Sequence, residues 1–340
     1  MIKALLFAAV LVGAAAKAPD SVSAAPGAKT TVPPAKGSGT ATQSATAAAK
    51  PSAPAKSKGP DPVFDSTRAY RYLKEQCALG PRNPESEPHK RAIAYFTAYF
   101  QGLGLTIAAQ PFVHADMADG HKVDLTNFIV TVPGTDAKRK PIVLCAHWDS
   151  RPRADQEASE MLSHSPILGA NDGASGVAIL MELANLFKKK APLQTVYLVL
   201  FDGEDYGREG TIDEYFLGAR YFAENLPAAD LEYLLLFDMV GDKDLKLPME
   251  QNSLKQSPVI VQKIWSRAQS MGLSEFQARP GPSVLDDHMP IQAKGVPAID
   301  IIDFEYPAWH TQGDTPDKCS ARSLGVVGRL AASLAFRGLP

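Results

Sequence analysis

The sequence predicts an α/β fold, a three-layer sandwich with a mixed, mostly parallel central sheet and helices on both faces. From residue 141 onward, short apolar runs alternate with segments whose apolar residues recur at helical spacing, which is typical of parallel strands joined by helices. The run 196–201 is apolar throughout, as expected of a strand that is covered on both faces. Two strand-like segments at 106–113 and 127–132 precede this alternation, and we expect them to form an antiparallel pair at one side of the sheet.

The helices and strands are predicted in a regular order along the chain. The first helix begins at Asp65-Ser-Thr, a common N-terminal capping sequence, reaches about Cys77, and is stopped by Gly80-Pro81. The helix at 175–190 has apolar residues along one face and three lysines at its C-terminal end, where positive charge suits the helix dipole. Residues 150–169 are polar and predict a loop. The remaining predicted elements are a helix at 87–102, a strand at 141–146, a helix at 217–226, a strand at 231–237, a helix at 258–271, a strand at 297–302 and a helix at 322–336.

Composition and charge favour a globular protein with a large core. The chain has 340 residues, of which 45% are hydrophobic and 21% are charged, and its formal net charge is −2. Outside the N-terminal segment, no extended basic tract indicates binding to nucleic acid. We expect one catalytic domain over 61–340, because about 280 residues is a plausible size for a single α/β domain.

The N-terminal segment has the pattern of a secretory signal peptide. Lys3 precedes an apolar run at 4–16, which ends in small residues and is too short for a comfortable membrane span. We take 1–25 as the signal peptide, with an uncleaved N-terminal anchor as the alternative. Residues 26–60 are almost wholly Ala, Pro, Ser, Thr, Gly and Lys and predict a disordered linker. The protein is therefore expected to be exported, periplasmic or secreted, with no stable membrane span after signal cleavage.

The three cysteines do not predict a disulfide framework. Cys77, Cys145 and Cys319 are too few for one, and their spacing does not match a zinc site. Cys145 lies inside a predicted buried strand, where a small apolar thiol is unremarkable. A single bridge between Cys77 and Cys319 is left open.

Polar residues with metal-ligand chemistry follow the predicted strands. In a sheet of this type, the residues after the carboxyl ends of the strands meet at one edge. Two histidines and several carboxylates gathered there form a typical site for a first-row metal, and nitrogen and oxygen ligands together favour zinc. Taken singly, each residue is also compatible with a strand end, a helix cap or a turn, so the prediction depends on their coincidence. The residues are His147, Asp149, Asp172, Glu204, Asp205, Asp238 and His310.

Six motifs in order give the chain a family resemblance. They are AHWDS, GANDGASGV, FDGED, LLFDMVG, DDHMPIQAKGVP and WHTQGD. Together they resemble the zinc aminopeptidase and glutaminyl cyclase superfamily from about residue 62 to the C-terminus, which implies a phosphorylase/hydrolase-like zinc-exopeptidase architecture. Within it, the chain is more similar to glutaminyl cyclases of the animal type and their bacterial relatives. Asp286-Asp287-His288, Gly295-Val-Pro and Trp309 before His310 carry that closer similarity.

The resemblance implies one zinc ion per chain, held by Asp172, Asp205 and His310. Glu204 then matches the general acid/base of the cyclases.

Four further residues receive roles from the same resemblance. Asp238 and Asp286 match a pair of acids that share a hydrogen bond close to the base. Trp309 and Tyr306 match residues that line the substrate pocket.

In the two-zinc aminopeptidases of the superfamily, a second metal would also use His147 and Asp238, with Asp172 bridging the two ions. Asp149 matches the residue that orients the neighbouring histidine. His147 and Asp238 are both present here, so a second metal is not ruled out by loss of ligands.

The chain departs from the animal enzymes at two points. Asp205 stands where they carry Glu, and its shorter side chain requires a shift of the backbone to reach the metal. The cystine of the animal members has no evident counterpart among the three cysteines here.

The leading functional hypothesis is cyclisation of N-terminal glutamine to pyroglutamate with release of ammonia, on peptides or proteins with N-terminal Gln. One alternative is a two-zinc aminopeptidase that uses Glu204 as base. The other is an inactive exported binding module, against which the intact Glu204, Asp172 and His310 argue. Asp202 is expected to orient its loop rather than to bind metal, and His89, His164 and His288 are taken as structural or surface residues.

Overall fold

A mixed sheet forms the centre of the protein, which was analysed as a computed structural model that describes residues 60–340. The predicted signal peptide at 1–25 and the predicted linker at 26–60, apart from its last residue, lie outside the described residues. The strands are β1 (Thr106–Ala115), β2 (Lys122–Val132), β3 (Ile142–His147), β4 (Val196–Phe201), β5 (Tyr233–Asp238), β6 (Leu247–Met249), β7 (Phe276–Pro280) and β8 (Ala298–Ile302).

Six of these strands form the main sheet of the described chain, in the order β1-β2-β4-β3-β5-β8. The four strands β4, β3, β5 and β8 are mutually parallel, whereas β1 and β2 are antiparallel to their neighbours, as the sequence predicted. Strand β3 lies between β4 and β5, which follow it in the chain. Such a reversal of strand order opens a crevice at the carboxyl ends of the strands, where ligands bind in folds of this kind.

Helices cover both faces of the sheet, which confirms the predicted three-layer sandwich. The helices of the described chain are α1 (Ser66–Ala78), α2 (Glu87–Gly102), α3 (Glu160–Ser163), α4 (Ala174–Lys189), α5 (Leu217–Glu224), α6 (Gln251–Gln256), α7 (Pro258–Ser270), α8 (His288–Ala293) and α9 (Ala321–Arg337). The larger apolar core contains most of α4 and residues from α1, α2, α7 and α9, such as Ala69, Phe96, Ile264 and Leu330. The opposite face is covered by α5 and α8, through residues such as Phe222 and Ile291.

Capping side chains explain where the longer helices begin. Asp65 accepts a hydrogen bond from the Arg68 N–H at the start of α1, and Ser320 accepts one from the Ser323 N–H at the start of α9. The predicted long helices agree with the structure to within about two residues at their ends. The short elements α3, α6, α8, β6 and β7 were not predicted, because three to six residues are too few to establish a hydrophobic period.

Helix α4 approaches the sheet unusually closely at its first turn. A Cβ atom at Gly176 would lie 2.1 Å from the carbonyl oxygen of Phe237 in β5, so any side chain there would push the helix away. At Gly173, where φ is +94°, a Cβ would lie 2.9 Å from the His147 ring. The two glycines therefore bring the loop before α4, which carries Asp172, against the ends of β3 and β5.

Cys77, Cys145 and Cys319 are buried free thiols in the described chain, so the Cys77–Cys319 bridge that the sequence left open is not formed.

Within residues 60–340, no helix is both long enough and apolar enough to cross a membrane.

Candidate active site and metal centre

The predicted ligand residues meet at the carboxyl ends of the central strands. His147 is the last residue of β3 and Asp238 the last residue of β5, while Asp205 follows the turn after β4. The side chains of these predicted residues form two overlapping groups of three, and the ligand atoms within each group lie within 4.8 Å of one another. The groups are Asp172, Asp205 and His310, and His147, Asp172 and Asp238.

The first group has the spacing of ligands around one metal ion. His310 Nε2 lies 3.5 Å from Asp205 Oδ1 and 3.7 Å from Asp172 Oδ2. Ligands at about 2.0–2.1 Å from a tetrahedral zinc are about 3.3 Å apart, close to these values. Asp172 Oδ2 and Asp205 Oδ2 are buried, and neither has a hydrogen-bond partner within the described part of the chain. The donor set and the two unpaired oxygens fit a zinc ion.

Asp314 holds the loop that carries Asp172. Its carboxylate accepts the backbone N–H of Asn171 at 2.8 Å and that of Asp172 at 3.1 Å. The Tyr306 hydroxyl donates to the same carboxylate at 2.8 Å, and the Tyr306 side chain is only 1% exposed. In the structure Tyr306 therefore supports the Asp172 loop, and its predicted contact with substrate stays a prediction. Sequence reasoning gave Asp314 no role, although it ends the WHTQGD motif.

Asp155 orients the His310 ring. Its Oδ1 lies 3.2 Å from His310 Nδ1, so the Nδ1–H donates to Asp155 and the Nε2 lone pair faces Asp172 and Asp205. A carboxylate behind a metal-binding histidine fixes the tautomer and the direction of the ring. Trp309 stacks on His310 with ring centroids 3.9 Å apart and is half-buried at the rim of the site.

Arg151 connects Asp155 to the predicted ligand Asp205. Its buried guanidinium donates to Asp205 Oδ1 at 2.5 Å and to both oxygens of Asp155, at 3.0 and 2.5 Å. Burial alone would raise the pKa of Asp205, but Arg151 and His310 outweigh it and hold that pKa below the usual range. Arg151 thereby fixes the side chain of Asp205, which is shorter than the Glu that the animal enzymes carry at this position. Neither Arg151 nor Asp155 was singled out from sequence, since both lie in the polar loop after β3, where no local pattern marks them.

The second group is centred on His147. Its Nε2 lies 3.1 Å from Asp172 Oδ1 and 3.2 Å from Asp238 Oδ1, while its Nδ1 lies 3.5 Å from Asp149 Oδ1. Burial opposes protonation of His147, yet these three carboxylates raise its pKa well above the usual value. Asp172 thus presents one oxygen to each group, which is the position of a carboxylate that bridges two metals.

Glu204 lies beside both groups without belonging to either. Its side chain is 13% exposed, and Oε2 is 3.9 Å from His147 Nδ1. Asp149 accepts the backbone N–H groups of Glu204 and Asp205, both at 3.2 Å, which fixes the turn after β4. Burial, and then the negative charge of Asp205, raise the pKa of Glu204 well above its usual value. A buried carboxyl whose pKa is raised in this way is a candidate for proton transfer.

Asp286 lies close to Asp238 in a buried, acidic environment. Burial and then the charge of Asp238 raise the pKa of Asp286 well above the usual range. Asp286 Oδ1 accepts the Asp287 N–H, and Oδ2 has no hydrogen-bond donor among residues 60–340. The hydrogen bond between Asp238 and Asp286 that the resemblance implies stays a prediction.

Asp202 ties the turn after β4 to the neighbouring elements. Both of its oxygens lie 3.0 Å from His89 Nε2, and Oδ2 also accepts the Thr126 N–H at 2.7 Å. The His89 ring stacks on Trp148 with centroids 4.4 Å apart. These contacts hold the turn against α2 and β2 and keep Asp202 outside both ligand groups.

The chain is similar to known zinc-dependent proteins. The profile of Peptidase family M28 matches residues 127–335. A probable zinc metalloprotease of Leptosphaeria maculans is 32% identical over 142 residues, which are 40% of this chain and 30% of that protein. The chain thus spans about a third of the length of such fungal relatives.

Solved structures are similar over nearly their whole length. The glutaminyl cyclase of Bacteroides thetaiotaomicron, solved bound to N-acetylhistamine, is 32% identical with a TM-score of 0.77, and the match covers 82% of this chain and 99% of that one. A leucine aminopeptidase precursor from the same species has 32% identity, a TM-score of 0.78 and the same coverage. With the ligand groups described above, these similarities support Zn²⁺ as the cofactor and an enzyme of the zinc-dependent M28 and glutaminyl cyclase type. The chain therefore belongs to peptidase family M28, within the superfamily of zinc exopeptidases and glutaminyl cyclases.

Proposed function

We propose that the enzyme is a glutaminyl-peptide cyclotransferase, which converts an N-terminal glutamine to pyroglutamate and releases ammonia. The observation that carries this proposal is the acidic pair behind Asp238. Asp286 and Asp287 are both buried, and burial, with a smaller contribution from the charge of Asp238, raises the pKa of each. An Asp238 that shares a proton with such a neighbour is a poorer metal ligand, which favours a single ion at Asp172, Asp205 and His310.

The reaction needs a proton carrier beside the attacking amine, and we assign this role to Glu204. When bound, zinc supplies a Lewis acid that polarises the side-chain amide carbonyl of the substrate. Glu204 accepts a proton from the α-amine as its nitrogen bonds to the amide carbon, and returns a proton to the departing nitrogen. One C–N bond forms, one C–N bond breaks, and ammonia leaves without consumption of water.

The substrate side chain must fold back on its own α-amine before the ring can close. An apolar wall that restricts the glutamine side chain lowers the entropic cost of this conformation. Trp309 is the side chain proposed for this wall, because it is half-buried, stacks on His310 and packs against Phe304 with ring centroids 5.1 Å apart. Tyr306 would contribute indirectly, because its hydroxyl donates a hydrogen bond to Asp314.

A two-zinc aminopeptidase is the second candidate, and a specific observation favours it. His147, Asp172 and Asp238 form an intact group of possible ligands, and Asp172 faces both groups. In that case two ions would hold a nucleophilic water, and Glu204 would act as its base.

The products of a single substrate separate the two activities. Glutaminyl-naphthylamide should give pyroglutamyl-naphthylamide and free ammonia, with no naphthylamine. Alanyl- and leucyl-naphthylamide, which cannot cyclise, should remain intact and serve as controls. Release of naphthylamine from these controls would overturn the cyclase proposal and support the peptidase. A content of about one rapidly chelatable zinc ion per chain would support the cyclase, and about two ions per chain would support the aminopeptidase.

Export to the periplasm or the medium is part of the same proposal, and it is based on the N-terminal pattern of residues 1–25. Cell fractionation and N-terminal sequencing of the mature protein test it. A full-length chain that begins at Met1 and stays in the cytoplasm would contradict it.

A further inference from the structure

Arg82 is a buried cation that forms no ion pair among residues 60–340. It lies between α1 and α2 and is 0% exposed, and its side chain donates only to backbone carbonyl oxygens. Burial lowers the pKa of Arg82, and nearby negative charges, among them Asp149 and Asp314, oppose this shift. A buried charge without a paired counter-charge is costly, and the proposed reaction gives Arg82 no role.

The Arg82 side chain joins the two ends of the long loop that follows β3. Its Nε donates to the carbonyl oxygen of Trp148 at 2.9 Å, just after the end of β3. Its two terminal nitrogens donate to the carbonyl oxygens of Leu168 and Gly169, at 2.9 and 2.8 Å. A guanidinium carries its donors in a rigid, planar fork, so these three bonds fix the two segments relative to each other.

A second connection runs between the same segments. The backbone N–H of Arg82 donates to Ser150 Oγ at 2.8 Å, and the Ser150 hydroxyl donates to the carbonyl oxygen of Ile167 at 3.1 Å. Ser150 and Ile167 are both buried, so water does not compete for these bonds. We call the contacts of Arg82 and Ser150 with the two ends of this loop the Arg82 clamp.

The clamped segments carry the residues of the proposed metal centre. Trp148 directly follows His147 in the chain. Gly169 has a φ of +64°, and a Cβ atom there would lie 2.6 Å from the carbonyl oxygen of Asp172, so Gly169 and Asp172 are in close contact across one turn. The Arg82 clamp therefore acts on the distance between Asp172 and the end of β3.

Opposite charges hold the Asp172 loop from two sides. The Asp314 carboxylate accepts the backbone N–H groups of Asn171 and Asp172, while the Arg82 guanidinium donates to the two carbonyl groups at 168 and 169. Hydrogen bonds with one charged partner are about twice as strong as those between neutral groups. The loop is thus fixed by the protein itself, with no contribution from a bound ion.

We propose that Arg82 is a positioning residue of the metal centre, which sets the distance of Asp172 from the end of β3 so that the site is formed before the ion binds. The inference rests on the metal centre of the proposed function. It does not depend on the choice between cyclase and aminopeptidase, because Asp172 belongs to both ligand groups.

The test compares Arg82→Lys with Arg68→Lys in the full-length protein. Arg68 is the matched control, because it donates at 2.6 Å to each carboxylate oxygen of the buried Glu182 and lies outside the ligand groups. Each substitution keeps the positive charge and removes the planar fork of donors. Both variants should unfold at a lower urea concentration than wild type. Only Arg82→Lys should bind zinc more weakly, by about tenfold or more in competition with a chromophoric chelator.

A second measurement uses zinc-free protein and needs no activity. The amide hydrogens of Asn171 and Asp172 are held by Asp314 and report on the loop. Their hydrogen exchange is measured relative to that of Leu235 and Leu236 in β5, which serve as the reference for global unfolding. Relative exchange at 171 and 172 should be faster in Arg82→Lys and unchanged in Arg68→Lys.

Folded Arg82→Lys that binds zinc as tightly as Arg68→Lys, or that keeps the relative exchange of wild type at both amides, would overturn the proposal. If Arg82→Lys does not fold, Ser150→Ala tests the same clamp, because it removes the hydroxyl between Arg82 and Ile167. Faster exchange at 171 and 172 with weaker zinc binding then supports the clamp, and wild-type values refute it.

Failure of this inference is distinguishable from failure of the proposed function. Release of naphthylamine from alanyl-naphthylamide would overturn the cyclase and leave the role of Arg82 in place. Wild type that binds no zinc would overturn the metal centre and the role of Arg82 together. Normal zinc binding in both wild type and Arg82→Lys would overturn the role of Arg82 alone.

Discussion

Replacing Asp155 tests whether this residue, which contacts no substrate in the proposed reaction, sets the zinc affinity of the site. Asp155 Oδ1 lies 3.2 Å from His310 Nδ1, and the same carboxylate binds the Arg151 guanidinium. In Asp155→Asn the amide oxygen can still accept from His310, but the charge is lost. In Asp155→Ala the ring loses its partner and can rotate, so Nε2 no longer faces Asp172 and Asp205.

The magnitude follows from the two contacts that are lost. Removing a carboxylate behind a metal-binding histidine weakens metal affinity by about 10- to 100-fold, or about 1.4–2.7 kcal/mol. Without the Asp155 carboxylate, Asp205 is the remaining carboxylate partner of Arg151. Arg151 would therefore attract Asp205 Oδ1 more strongly. We expect about tenfold weaker zinc binding for Asp155→Asn and about 100-fold for Asp155→Ala.

The assay is a competition titration of the zinc-free protein against a chromophoric chelator. Asp136→Asn is the control, since Asp136 makes an exposed ion pair with Arg139 and lies outside the ligand groups. Zinc affinities of both Asp155 variants equal to that of Asp136→Asn would refute the assigned role of Asp155.

Four further results are expected. Glu204→Gln should lower kcat by about 10²- to 10⁴-fold while zinc content stays unchanged, and retained turnover would exclude Glu204 as the proton carrier. Trp309→Ala should raise KM by about tenfold or more, because the apolar wall is lost; an unchanged KM in steady-state assays would contradict its place in the pocket. Gly176→Ala should lower the free energy of unfolding by about 1–3 kcal/mol in urea, since its Cβ would meet the Phe237 carbonyl oxygen. In zinc-free protein, burial opposes ionisation of Asp155, but His310 and Arg151 lower its pKa to about 2. Its stabilising contribution should therefore be present above about pH 4 and disappear as the pH falls towards 2, so unfolding experiments on wild type should show an acid loss that Asp155→Asn lacks.

The fold and the meeting of the candidate ligand side chains were predictable because their signals are local. The apolar strands and the long helices each leave a period of two or 3.6 residues, and ligands at strand ends follow from the topology of a parallel sheet. Asp172, Asp205 and His310 do lie together in the structure for this reason.

The supporting residues were not predictable, because their roles exist only across large distances along the chain. Asp314 contacts the backbone of Asn171 and Asp172, more than 140 residues away, and Arg151 reaches Asp205 across 54 positions.

Asp172 divides its two oxygens between neighbouring ligand groups, and this has a consequence for how such a scaffold changes its chemistry. Because one oxygen faces each group, a change in the number of bound ions would not require a different residue at position 172. A hydrolase that consumes water and a transferase that expels ammonia can then differ only in the acids around Asp238, with the remaining framework held in common.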